Sequence, residues 1–177
     1  MKCSLIMILY NEGKTIKEEI KSFLNQARVP DEIVIVDSLS KDNTAKIIKS
    51  FKSRKIKLIE KKADIGTGRN IAIKKAKHEI ILVTDGGCVL EKNWVKEMMK
   101  PFEENGSDVV GGIFLPMTKN VFEKAQGAVI CKSPNEIDEK KFIPSSRSFG
   151  FKKKVWEDVG GYPKHEIGGE DTRFVLN

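Results

Sequence analysis

Histidine and cysteine are scarce. The 177 residues hold two histidines, His78 and His165, and three cysteines, Cys3, Cys88 and Cys131. The cysteine count is odd and no CxxC pair occurs, which argues against a disulfide framework or a zinc site and fits a reducing compartment better. The tract His78-Glu79-Ile80-Ile81-Leu82 lacks the second histidine of a zinc-protease helix. Cys88 and Cys131 have no histidine nearby in sequence and read as structural. Aromatic residues make up only 7% of the chain. A basic stripe interleaved with aromatics, the footprint of nucleic-acid binding, is missing, so nucleic acid is not an expected partner. No run approaches the roughly 20 apolar residues that span a bilayer. The N-terminal apolar run at residues 3–10 is followed by Asn11-Glu12-Gly13-Lys14 and not by a small-residue cleavage site. It reads as a buried strand of a cytoplasmic protein.

What is present points to a globular chain. Hydrophobic residues make up 40% and charged residues 32%. The length suits one domain, since domains of about 100–200 residues are the norm. The net charge of +7 suits anionic partners such as nucleotide diphosphates or phospholipid head groups. The lysines are spread along the chain, so a solvated basic surface is the plainer reading. Lys152-Lys153-Lys154 is the run that would serve a peripheral membrane contact.

Strand and helix patterns alternate. Residues 3–10 read as the first strand. Ile16, Ile20, Phe23 and Leu24 share one helical face, with Asn11 as its expected cap and Val29-Pro30 as its end. Residues 32–37 form a continuous apolar run closed by Asp37, as a buried parallel strand does. Ala45, Ile47, Ile48 and Phe51 predict a second helix, residues 55–60 a third strand, and Ile71, Ala72 and Ala76 a third helix opened by Gly66-Thr67-Gly68. Residues 79–85 form another apolar run ending in an acid, Asp85. Trp94, Val95, Met98, Met99 and Phe102 mark a fourth helix. Residues 108–117 read as a strand interrupted by Gly111-Gly112. This order predicts an α/β fold with a doubly wound, mostly parallel sheet. Ligands bind such sheets outside the carboxyl ends of the strands, which places Asp37 and Asp85 at the ligand edge.

Four short motifs invite a chemical reading. Gly13-Lys14-Thr15 is not a phosphate loop, because the glycine required five residues before Gly13 is replaced by Ile8. Gly66-Thr67-Gly68-Arg69 can offer backbone amides and a guanidinium to phosphate, or be an ordinary turn. Asp85 either holds a divalent cation against a diphosphate, as hard cations prefer carboxylate oxygens, or caps the next turn. Gly168-Gly169-Glu170-Asp171 places two acids at a helix start, where the helix dipole favours them, or supplies a general base.

The order of these pieces resembles the large inverting glycosyltransferase family numbered two, with a Rossmann-related GT-A fold. The resemblance runs from about residue 3 to residue 174. Tyr10-Asn11-Glu12 follows the first strand. Residues 36–44, from Val36 through Asp37 to Thr44, resemble the family's VDdgSxDxT turn. Residues 66–72, with Arg69-Asn70, resemble its GxxxaRNxG segment. Thr84-Asp85-Gly86-Gly87-Cys88 stands at its aspartate-x-aspartate motif. Ser148 to Lys153 with Val159-Gly160-Gly161-Tyr162 resemble NxAfRR…vGGF, and Gly169-Glu170-Asp171 its glutamate-aspartate motif.

That resemblance implies a nucleotide-diphosphate sugar as donor and a saccharide, lipid or protein as acceptor. Tyr10, Glu12 and Asp37 are then expected around base and ribose, and Arg69 near base and diphosphate. Asp85 is expected at the metal–diphosphate end with Mn or Mg, Glu170 in the substrate site, and Asp171 as the general base. Two departures stand out. Position 87 is glycine where the family has its second aspartate. The chain also stops six residues after Asp171, where relatives continue: it is either a compact form or a truncated one whose acceptor side is incomplete. The alternative is a nucleotide-sugar-binding module with little or no transferase activity. A nucleotidyltransferase would carry its GxGxR signature directly after the first strand, where this chain has Tyr10-Asn11-Glu12.

Overall fold

The computed structural model describes residues 1–131, 134–138, 141–164 and 169–176. Its strands are β1 (Cys3–Leu9), β2 (Glu32–Asp37), β3 (Ile56–Glu60), β4 (Ile80–Val83), β5 (Val109–Gly111) and β6 (Phe149–Lys152). Its helices are α1 (Ile16–Leu24), α2 (Thr44–Ser50), α3 (Ile65–Lys75), α4 (Trp94–Glu104), α5 (Val121–Ile130), α6 (Lys153–Asp158) and α7 (Glu170–Leu176). The described strands form one mixed six-stranded sheet in the order β3-β2-β1-β4-β6-β5. β1 pairs parallel with β2 and β4, and β2 with β3. β6 alone runs against its neighbours β4 and β5.

The unbroken apolar runs follow from this position. Every residue of β1, β2 and β4 is buried, as expected for strands covered on both faces. Side chains alternate between those faces. Cys3, Leu5, Met7 and Leu9 meet α1 and α4 through Ile20, Phe23, Met99 and Phe102. Ile6 and Ile8 belong to the opposite core with Ala72 and Ile73 of α3 and the aromatic group Phe149, Phe151, Tyr162 and Phe174. Tyr162 and Phe174 stack with centroids 4.1 Å apart.

Several sequence expectations need correction. Asn11 does not cap α1, whose cap position is Thr15. Asn11 adopts a positive φ of 57°, and its amide N–H donates to Ser40 Oγ at 2.8 Å while its Oδ1 accepts from the Lys41 N–H at 2.8 Å. It therefore ties the loop after β1 to the loop after β2. α1 ends at Leu24, short of Val29-Pro30. Gly66-Thr67-Gly68 is not an open phosphate-binding turn but the first turn of α3, capped by Asp64, whose Oδ1 accepts from the Thr67 N–H at 2.7 Å. These glycines allow close packing. A Cβ on Gly66 would lie 1.9 Å from the Pro163 carbonyl oxygen, and one on Gly68 would lie 1.8 Å from Ile8 Cδ1. The strand expected over 108–117 is only three residues long, and regular pairing ends at Gly111.

α5 and β6 had no counterpart in the sequence reading. Lys152, Lys153 and Lys154 are each engaged. They donate to Asp108 and the Gly106 carbonyl, to the Ala76 carbonyl, and to Asp158, respectively. Among the described residues no helix is long and apolar enough to cross a membrane.

Candidate active site

The carboxyl ends of β1, β2 and β4 open on a cleft of about 1180 Å³. Tyr10, Glu12, Arg69, Asp85, Glu170 and Asp171 all line it, although they are spread over most of the chain. Asp37 does not line it. At 1% exposure it lies beneath the surface as the last residue of β2, and its Oδ1 accepts from the Ser40 backbone N–H and hydroxyl. Its work in the structure is to shape the loop that carries Ser38, Leu39 and Lys41 to the cleft wall.

Arg69 is the hub of the site. It is 2% exposed. Its Nη1 donates to Glu170 Oε1 and its Nη2 to Asp85 Oδ1, both at 2.6 Å. Its Cζ lies 5.2 Å from the centroid of the Tyr162 ring. Burial opposes the charge, but Asp85, Glu170 and the hydrogen bonds outweigh it and hold the guanidinium above its ordinary range. Its Nε–H has no hydrogen-bond partner among the described residues. The same burial pushes the Tyr162 hydroxyl well up, so Tyr162 is a neutral wall. α3 is held against the C-terminal segment by Asn70 as well. Its amide donates to the Tyr162 carbonyl at 2.8 Å, and its Oδ1 accepts from the Trp156 indole at 2.8 Å and the Tyr162 N–H at 2.9 Å.

Asp171 stands in the first turn of α7. Its Oδ1 accepts from the Thr172 N–H at 2.8 Å, and its Oδ2 makes long contacts of 3.3 Å with the Ser145 hydroxyl and the Ser146 N–H. Asp171 is half-buried and lines the cleft. Ser145 also lines a neighbouring apolar pocket of about 450 Å³ built by Ile113, Phe114, Phe142 and Ile143.

The turn after β4 carries Asp85, Gly86 and Gly87. Gly87 has a φ of 81°, a region L side chains rarely adopt. A Cβ on Gly86 would come within 3.0 Å of Glu12 Oε1. Behind the turn, the buried Glu19 of α1 accepts from the Gly87 N–H at 3.0 Å through Oε1. Its Oε2 has no hydrogen-bond partner among the described residues, and burial raises the Glu19 pKa. Glu19 was not singled out from the sequence; a carboxylate inside an otherwise apolar helical face was the available signal.

Besides Arg69, the cleft holds cations that sequence reasoning passed over. Lys41, Lys62 and Arg147 line it beside the acids. Cys88 is half-buried, and desolvation raises its thiol pKa. Burial pushes the Cys3 thiol up to about 11. Among the described residues no group of three or more His, Cys, Asp or Glu is placed to hold a metal ion.

A mixed six-stranded sheet flanked by helices is the GT-A type of fold. The sequence model of glycosyl transferase family 2 matches residues 4–159. The chain belongs to that family. It is 24% identical over 181 residues to the glycosyltransferase AglE of Haloferax volcanii, covering 97% of this chain and 59% of AglE. This chain thus spans less than two thirds of that relative's length. Among solved structures, residues 1–349 of TarS from S. aureus, in complex with UDP-GlcNAc, superpose with a TM-score of 0.79. That alignment is 23% identical and covers 99% of this chain and 52% of the other. The mannosyltransferase PcManGT from Pyrobaculum calidifontis, in complex with GDP-Man and Mn2+, gives a TM-score of 0.74 at 21% identity, covering 98% and 50%. Both structures match the fold described above.

Proposed function

We propose that this chain is the donor-binding and catalytic part of an inverting glycosyltransferase, moving a sugar from a nucleoside-diphosphate sugar to an acceptor hydroxyl. The observation that supports it most is the convergence of Tyr10, Glu12, Arg69, Asp85, Glu170 and Asp171 on one cleft at the sheet's carboxyl edge. Tyr10, Glu12 and the loop ordered by Asp37 would receive base and ribose. Asp85 would receive the sugar–diphosphate end, with the buried Arg69 behind it. The apolar pocket beside Ser145 would receive the acceptor, whether saccharide, lipid or protein.

In the transfer, Asp171 takes the proton of the acceptor hydroxyl as that oxygen forms its bond to the anomeric carbon. The bond from that carbon to the diphosphate oxygen breaks on the opposite face, and its electron pair stays with the diphosphate. Configuration at the carbon is inverted. Arg69 acts indirectly: it holds Asp85 and Glu170 in register, since an unpaired buried carboxylate would lower stability.

The fold family often works with a divalent cation, and the related PcManGT is seen with Mn2+. Here Asp85 is the one carboxylate of that motif, and its Oδ1 is engaged by Arg69. A magnesium-like ion can be held by one carboxylate together with substrate phosphates, so Asp85 is the residue that would hold it. Such an ion neutralises diphosphate charge.

A panel of UDP, GDP and dTDP and their sugars in a thermal-shift assay, with and without manganese, tests the reading. A ligand that binds only the folded state raises the melting temperature. One nucleotide series should do so, and its sugar should be transferred to an acceptor with inverted configuration. Binding without turnover would favour the binding-module alternative, which Gly87 motivates. No response to any nucleotide would sink the proposal.

A further inference from the structure

Because β6 runs antiparallel, the residues that precede it return to the ligand edge beside β4. Arg147 lies there, two residues before Phe149. Its carbonyl accepts from the Thr84 hydroxyl at 3.2 Å, so its backbone is pinned to the residue next to Asp85. Its guanidinium sits over the Phe114 ring, 4.8 Å from the centroid. Among the described residues its side chain makes one hydrogen bond, a 3.4 Å contact from Nη1 to Ser145 Oγ. No carboxylate pairs with it among the described residues, although it lines the cleft together with Asp85 and Asp171. Arg69, in contrast, is buried and spends its charge on two carboxylates.

The second aspartate expected at the metal motif is absent, and Gly87 at φ 81° stands in its place. That substitution removes one negative charge and one ion ligand from the end of the cleft where the diphosphate would lie. An exposed guanidinium, stacked on Phe114 and with no carboxylate partner among the described residues, lines the same cleft, and its backbone is held beside Asp85. We propose that Arg147 binds the donor diphosphate and stabilises its growing charge as the sugar leaves, supplying from the chain much of the positive charge that a cation held by two carboxylates would bring. The inference rests on the donor-cleft reading above.

The chemistry suits the residue. A guanidinium presents a planar fork that matches phosphate oxygens in pairs. Stacking on Phe114 holds the fork near the cleft before ligand arrives, so little ordering is needed at the moment of reaction. When the bond from the anomeric carbon to the diphosphate breaks, the electron pair moves onto an oxygen that already faces this cation. Lys41 and Lys62 line the cleft with Ser38, Leu39 and Ala63, on the β2–β3 side, and are placed for the nucleoside end.

The test measures affinities of UDP and GDP, and of uridine and guanosine, for the wild-type chain, Arg147→Gln and Arg147→Lys, in EDTA and in manganese. The diphosphate that binds wild type should still bind in EDTA. Arg147→Gln should weaken it by about tenfold or more, the scale of a hydrogen bond to a charged group. Affinity for the nucleoside should not move, and Arg147→Lys should recover part of the loss. Three results overturn the proposal while leaving the donor cleft standing. One is wild-type binding that vanishes in EDTA. Another is a glutamine variant that binds diphosphate like wild type. The third is a variant that loses nucleoside and diphosphate alike, which would make Arg147 merely structural. Failure of every nucleotide to bind wild type would overturn the donor-cleft reading and this inference with it.

Discussion

The first 104 residues and the rest of the chain contribute to one sheet in different ways. β1, β2 and β4 are buried along their full length, between helices on both faces. β5 is three residues long and mostly exposed, and α5 turns Val121, Phe122 and Val129 outward at 85%, 71% and 89% exposure. The donor wall is therefore shaped by buried strand ends and by loops tied to each other, as Asn11 ties to Ser40 and Lys41. The wall beside Asp171 hangs on edge elements and on a few long-range bonds. Rigid support and reactive geometry come from different parts of the chain, and Arg69 with Asn70 adds side-chain bonds to the β4–β6 pairing that joins them.

The sharpest way to separate the two regions is Asp171→Asn. If the first region binds donor and the second performs proton transfer, this change should lower transfer by about 10²–10⁴-fold and leave nucleotide affinity intact. Asp37→Ala should do the reverse, weakening nucleotide binding through the loop it orders. Turnover unchanged in Asp171→Asn would remove that residue from the mechanism and dissolve the contrast.

Next in size is the fastening itself. Arg69→Met keeps the volume but leaves Glu170 buried and Asp85 without its partner. Removing one member of a buried ion pair costs about 3–5 kcal/mol, so the urea midpoint should fall steeply. A loss under about 1 kcal/mol would show that the two regions hold together without it. Gly66→Ala tests the same seam from the backbone. The new methyl meets the Pro163 carbonyl, and overpacking of about 1–3 kcal/mol should exceed the gain of up to about 1 kcal/mol in helix propensity. Gly68→Ala should cost less, because the atom in its way is the movable tip of Ile8.

The two regions were also unequally legible in the sequence. β1, β2 and β4 were readable because burial on both faces writes an unbroken apolar run, and the acids that close two of those runs pointed to the ligand edge. The double pairing of Arg69 was not readable. Its partners stand 16 and 101 residues away, and no periodicity connects them. β6 is four residues long, too short to show alternation, and its reversed direction is what brings Arg147 to the cleft. Asn11 looked like a helix cap from its neighbours alone; the structure gives it to a loop whose partner lies 29 residues on.

The smallest expected effect probes the far side of the comparison. On α5 the apolar residues Val121, Phe122, Ala125, Ala128 and Val129 fall on one helical stripe, and all are exposed. The helix meets the body through Gly127, where a Cβ would come 2.5 Å from Pro116 Cγ. Phe122 therefore buries little, and Phe122→Ser should change stability by no more than about 0.5 kcal/mol in this chain, as surface changes do. Phe102→Ala, on a helix of the first region and 1% exposed, should cost about 3–5 kcal/mol. The ratio of the two losses, read from denaturation midpoints, measures how unequally the regions are packed. A loss above about 1 kcal/mol for Phe122→Ser would mean that the stripe is covered in solution, and the contrast between a buried donor wall and an open second region would no longer hold.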